Sequence, residues 1–137
     1  MVVDGDWRTM SPQRFTVSTD ERLSVQDVTA RVADEVPTDA DGTVTVYSQH
    51  TTAAITVNQA ESHLLDDFED ALAALVPDEG WAHDRLDGNA DSHVRAMLVG
   101  PRETVPVSEG SLDLGRWQSI LLVECDGPRT RTVQVVV

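Results

Sequence analysis

The sequence predicts an α+β fold: an antiparallel β-sandwich core with about three helices packed outside. Three observations predict it. About six or seven segments alternate or run apolar in strand fashion, and they cluster toward the C-terminal end. One segment, "ESHLLDDFEDALAALVP", has an apolar stripe at helical spacing. Strands and helices come in runs rather than in regular βαβ order, so the strands need a second layer to cover them.

The chain has 137 residues, enough for one domain with a sizeable core over 1–137, with 1–12 as a loose lead-in. "RFTVST" alternates as a strand. From Ser24, valines recur at Val25, Val28, Val32 and Val36, which predicts a helix capped by Ser24 and ended by Pro37. "PTDADG" is turn chemistry, "TVTVYS" a strand and "AAITVN" another. In the long helix Leu64, Leu65, Phe68, Leu72 and Leu75 form the stripe, and Pro77 marks its end. "DEGWAHDRLDG" is a polar loop. "NADSHVRAMLVG" is a short helix with Asn89 as cap and Gly100 after it. "ETVPV" reads as an edge strand because of Pro106. "RWQSILLVECDG" and "RTRTVQVVV" read as long strands joined in a hairpin at Asp126-Gly127-Pro128-Arg129.

Charge narrows the partners. The formal net charge is −14, and every basic residue is arginine. Such a chain repels nucleic-acid phosphates and anionic lipid surfaces, so neither is an expected partner. The acidity reads as a solvated coat suited to a halophilic, high-salt cytoplasm, where salt screens self-repulsion. No apolar run reaches the ~20 residues of a membrane span. The N-terminal stretch lacks the pattern of a signal peptide, and Cys125 stands alone. The expected location is the cytoplasm.

The four histidines are the first candidates for chemistry. His63 falls on the acidic side of the long helix and reads as a solvated surface residue. His50 ends a strand in "SQHTTAAITVN", His83 lies in the polar loop, and His93 follows Asn89 by one helical turn. Three histidines on separate elements suit an open zinc site with one position for water or substrate. They equally suit three separate hydrogen-bonding roles. His50 would be a ligand or base, and Thr51 and Thr52 would be donors beside it. Asp84, Asp87, Asp91 and Glu124 offer carboxylates, most of which in so acidic a chain are surface coat. Glu124, inside "ILLVECDG", is either solvent-facing or buried and paired; near a histidine it would fix a tautomer or act as acid or base. Arg129 and Arg131 form a candidate anion site or balance neighbouring acids. Trp117 serves core packing or ligand stacking. Walker A, GxGxxG and GxSxG motifs are absent from the sequence.

Three stretches, "HTTAAITVNQAE", "LVPDEGWAHDRLDGNADSHVRAMLVGP" and "VPVSEGSLDLGRWQSILLVECDGPR", occur in an order and spacing that resembles the YjbQ-like family. That family is often labelled secondary thiamine-phosphate synthase. The resemblance runs from about Phe15 to Val137 and implies a compact α+β protein with a β-sandwich core, assembled as a homotrimer. It implies a pocket around His50, His83 and His93, with zinc or another divalent metal as the suspected cofactor. Thr51, Asn58, Asn89, Gln118 and Glu124 match motif positions, whereas Gln59 stands where many relatives carry glutamate. The resemblance thus implies His50, Glu124 and Asn89 as catalytic, and Thr51, Asn58 and Gln118 as substrate-binding; the residues themselves add Thr52 and Arg129. The implied reaction joins a pyrimidine methyl diphosphate to a thiazole phosphate. Another zinc-dependent reaction such as hydrolysis, or a non-catalytic trimer binding metal or a phosphorylated metabolite, fits the same residues.

Overall fold

The computed structural model describes residues 13–137. The expected lead-in, 1–12, lies outside the described residues. The observed order is β1 (Gln13–Ser18), β2 (Ser24–Asp27), α1 (Thr29–Asp34), β3 (Gly42–Ser48), β4 (Ala53–Asn58) and α2 (Ser62–Leu75). A 3₁₀ turn (Ala82–Arg85) leads to α3 (Ala90–Val99), then β5 (Arg102–Ser108), β6 (Ser111–Leu112), β7 (Ser119–Glu124) and β8 (Thr130–Val136). The fold is α+β, with the described strands in two antiparallel sheets of order β1-β8-β3-β5-β6 and β2-β7-β4.

The sheets face each other across one core. Alternation sends Phe15, Val44, Val46, Val133 and Val135 inward from the larger sheet, and Ile55, Ile120 and Leu122 inward from the smaller. The outer face of the smaller sheet, with Ala54, Leu121, Val123 and Cys125, packs against Leu65, Phe68 and Leu72 of α2 and Ala96 and Val99 of α3. Strand β7 is therefore covered on both faces, which is why "ILLV" reads as an unbroken apolar run. Expected positions of the α2 stripe hold through Leu72, but Leu75 is 72% exposed. The start of α2 is capped by Glu61, whose Oε2 accepts from the Leu64 N–H at 2.7 Å.

Two expectations are corrected. Ser24 does not cap a helix: Ser24–Asp27 is a strand paired with β7, and the helix begins only at Thr29. The valine spacing was compatible with helix, but β7 needs a partner on that side and wins. Likewise, β7 and β8 do not form a hairpin. The chain leaves the smaller sheet at Glu124 and enters the larger one at Thr130. Pro106 is tolerated because only the two-residue β6 lies outside β5, pairing with Val107 and Ser108.

Three connections that switch sheets meet at one end of the sandwich: 19–23, 49–52 and 125–129. Backbone hydrogen bonds tie them together. Thr19 N–H donates to the Arg129 carbonyl at 2.8 Å, Gly127 N–H to Arg22 at 3.0 Å, and Cys125 N–H to Thr52 at 3.0 Å. The site is built on this junction.

Candidate functional site

Two of these corners, 49–52 and 125–129, line an open cleft of about 670 Å³ together with the start of α3 and of β8. His50, Thr51 and Thr52 line one wall, Asn89 and His93 another, and Asp126, Arg129 and Arg131 the floor and rim. Most of the sequence candidates therefore share one space, although they come from separate elements.

The floor is a buried ion pair. Glu124 is 0% exposed and Arg131 is 3% exposed. Glu124 Oε1 accepts from Arg131 Nε at 2.8 Å and from the Thr19 hydroxyl at 2.7 Å. Its Oε2 accepts from the Asp126 N–H at 2.9 Å and from Arg131 Nη2. Arg131 Nη2 also donates to the Thr52 hydroxyl at 2.8 Å. Burial alone would raise the Glu124 pKa, but Arg131, the Asp126 N–H and Thr19 together hold it below the ordinary carboxylate range. The paired reading of Glu124 holds, with an arginine rather than a histidine as partner. These donors favour the ionised carboxylate, which in turn fixes the Arg131 guanidinium in place. Arg131 Nη1 has no protein partner among the described residues, and Arg131 lines the cleft.

Alternation could have revealed this pair. Glu124 lies on the same face of β7 as Ile120 and Leu122, and Arg131 on the same face of β8 as Val133 and Val135. Both point between the sheets, where an unpaired charge is too costly. Asp126, which the sequence did not single out, organises the rim. Its carboxylate accepts from Asn89 Nδ2 at 2.9 Å and Arg129 Nη2 at 3.0 Å. Asn89 thus occupies the cap position of α3 without a side-chain cap bond. Its Oδ1 is buried and has no hydrogen-bond partner among the described residues.

His50 is held from two sides. Its backbone N–H reaches Ser48 Oγ at 3.3 Å, and its ring Nε2 accepts from the Thr132 N–H at 2.8 Å. Burial lowers its pKa, and Arg131 lowers it further, against a smaller raising effect of Glu124. His83 and His93 stack edge to face with centroids 5.1 Å apart, but His83 faces a second recess beside Trp81 and Val94. His83 Nε2 lies 3.4 Å from Asp87 Oδ2, yet it makes no aligned hydrogen bond. Asn58 and Gln118 line a separate depression with Trp117, at the opposite end of β4 from His50. Trp117 is 63% exposed, with the Arg116 guanidinium 4.8 Å above its ring. His63 is a surface residue, hydrogen-bonded to Glu61 at 2.6 Å.

The three histidines do not fit a shared zinc ion in this arrangement. An imidazole whose Nε2 accepts a backbone N–H carries its own proton on Nδ1, so neither nitrogen of His50 is free to ligate. Among the described residues no group of three or more histidine, cysteine or acidic side chains is arranged around a common ion position. No helix among them is long and apolar enough to cross a membrane.

Comparison with known proteins agrees with the fold and the motifs. The family model described as UPF0047 protein YjbQ-like matches residues 13–137. A UPF0047 protein of Archaeoglobus fulgidus is 47% identical over 122 residues, 88% of this chain and 96% of that one. Another, from Methanothermobacter thermautotrophicus, is 44% identical over 128 residues, 91% of this chain and 90% of that one. The crystal structure of a hypothetical protein from Aeropyrum pernix K1 superposes with a TM-score of 0.88 at 42% identity, covering 93% of this chain and 97% of that chain. A YbjQ-like protein of unknown function from Sulfolobus solfataricus P2 gives a TM-score of 0.87 at 34% identity, covering 91% and 94%. With the motifs, the sandwich and the match over all described residues in agreement, the chain belongs to the YjbQ-like UPF0047 family.

Proposed function

We propose that the cleft binds a phosphorylated small molecule, and that the chain is an enzyme acting on it. The specific reaction is the joining of a pyrimidine methyl diphosphate to a thiazole phosphate. One observation carries this reading: Arg131 is buried and clamped through Nε and Nη2, its Nη1 has no partner among the described residues, and it lines a cleft shared with Thr51 and Arg129. A pre-positioned guanidinium spends little entropy on ordering and matches phosphoryl oxygens in its fork geometry.

In the reaction, the thiazole nitrogen forms a bond to the pyrimidine methylene carbon. The carbon–oxygen bond to the diphosphate breaks, and pyrophosphate leaves with the electron pair. Negative charge develops on the leaving oxygen, where Arg131 and the Thr51 hydroxyl would stabilise it. Arg129, half exposed and held by Asp126, would follow the outer phosphate.

The test is incubation of the purified chain with both precursors, with mass-spectrometric detection of thiamine phosphate. Turnover should be lost in Arg131→Met. A wild type that turns over no faster than this variant, while still binding pyrophosphate, would leave a non-catalytic binding role. Absence of pyrophosphate binding would remove the phosphate reading altogether. The homotrimer, the cytoplasmic location and the halophilic character are part of the same proposal. Sedimentation in high salt should report three copies. The melting temperature should rise with KCl as the −14 charge is screened.

A further inference from the structure

The geometry points to His50 as a fixed hydrogen-bond donor, so that the ligand atom it meets is an acceptor oxygen, as on a phosphoryl or carboxylate group. This rests on the anion-binding reading of the cleft and specifies what one wall of it recognises.

The argument begins in the backbone. Strand β3 pairs with β8 as far as Ser48 opposite Val133, and then leaves the sheet. The next ladder N–H on that side of β8, that of Thr132, has lost its strand partner. His50 Nε2 supplies the missing acceptor at 2.8 Å. A partly buried ladder N–H is costly to leave unsatisfied, so the ring orientation answers a demand of the fold. The turn preceding it is fixed as well: Ser48 Oγ donates to the Ala53 carbonyl at 2.9 Å and accepts from the His50 N–H.

Tautomer follows from orientation. A nitrogen that accepts must offer its lone pair, so the neutral ring carries its proton on Nδ1. Nδ1 has no protein partner among the described residues, and His50 lines the cleft. The charged groups around the ring are Arg131, Glu124 and Arg129, and burial with the arginines favours the neutral form. A general base would need a free unprotonated nitrogen. The unprotonated one is occupied by Thr132, and the free one already holds a proton.

Two-bond ¹H–¹⁵N correlations on the full labelled chain at neutral pH test this directly, with His50 assigned through its contact with the Thr132 amide. The expected result is a pyridine-like Nε2 and a pyrrole-like Nδ1. The opposite pattern, or stoichiometric zinc that is lost in His50→Ala, would overturn the inference. Calorimetric titration with inorganic pyrophosphate gives a second measurement. In His50→Asn the amide N–H falls near the Nδ1 position, and affinity should stay within about threefold of wild type. In His50→Gln the amide reaches toward Nε2, and affinity should fall about tenfold, one hydrogen bond to an anion. Equal weakening in the two variants would count against the donor role. If the wild type binds no pyrophosphate, the proposed function fails, and the tautomer is still decided by the spectrum alone.

Discussion

Two buried arginines hold this molecule together, and they are wired differently. Arg95, on α3, has every nitrogen engaged by protein. Nε donates to the Leu72 carbonyl at 3.0 Å, Nη1 to Asp91 at 2.5 Å, and Nη2 to the Val76 carbonyl at 2.8 Å and Asp78 at 2.9 Å. It closes the C-terminal end of α2, whose last carbonyls lack helical partners. Asp91 is in turn bound by Arg22 at 2.8 Å. Arg131 also has a satisfied carboxylate partner, but its Nη1 has no partner among the described residues and the side chain lines an open cleft. The first arrangement can only hold elements together. The second does that and leaves binding capacity unspent. Burial and pairing are therefore common to both arginines, and the proposed role of Arg131 rests on its remaining donor beside the cleft.

The largest expected effects break each network in turn. Glu124→Gln and Arg95→Met should each cost about 3–5 kcal/mol in urea denaturation, since each strands a buried charge or removes its partner. Only Glu124→Gln should also weaken pyrophosphate binding. Loss of binding in both would erase the distinction. The double replacement Glu124→Leu with Arg131→Met sharpens it. Stability should return to within about 1 kcal/mol of wild type, because an apolar pair replaces a desolvated ion pair, while binding stays lost.

Acid should affect both networks together. Glu124 and Asp91 are held below their ordinary values of 4.5 and 3.8 by their arginine partners and hydrogen bonds, against the opposing effect of burial. Depressed carboxylates stabilise the fold above their unfolded values, and that contribution is lost as pH falls through the folded ones. The urea midpoint should decline shallowly as pH falls below about 6.5, where only the unfolded chain protonates His50, and steeply below about pH 4.5, where the contribution of the two carboxylates is lost. A decline with no steep component below about pH 4.5 would contradict the pairing. The smallest effect belongs to Arg129→Ala. Its pair with Asp126 is half exposed, so stability should change by no more than about 0.5 kcal/mol, with a fewfold drop in pyrophosphate affinity.

Much of this was legible from local pattern. The alternating strands, the α2 stripe through Leu72 and the polar turn at His50–Thr52 all stand where periodicity places them. Other features depend on sheet membership, which no local window contains. "CDGPR" between two β-prone runs resembles a hairpin turn, yet the runs differ. Ile120–Cys125 is buried on both faces, whereas Arg131–Val135 alternates. A strand covered on both sides belongs to the helix-covered sheet and a one-sided strand to the other, and that difference was the available clue. The separation of Asn58 and Gln118 from the histidines follows from the length of β4, and motif matching carries no such distance.

Cys125 is sealed between α3 and the smaller sheet, and burial pushes its thiol up to about 12. The chain also contains no lysine. Taken together, these leave the folded protein nearly inert to thiol- and amine-directed reagents, apart from its terminal amine. A cysteine introduced at exposed Gln49, on the cleft rim, would then be a unique reactive handle. A single dye placed there could report occupancy of the cleft without any background to subtract.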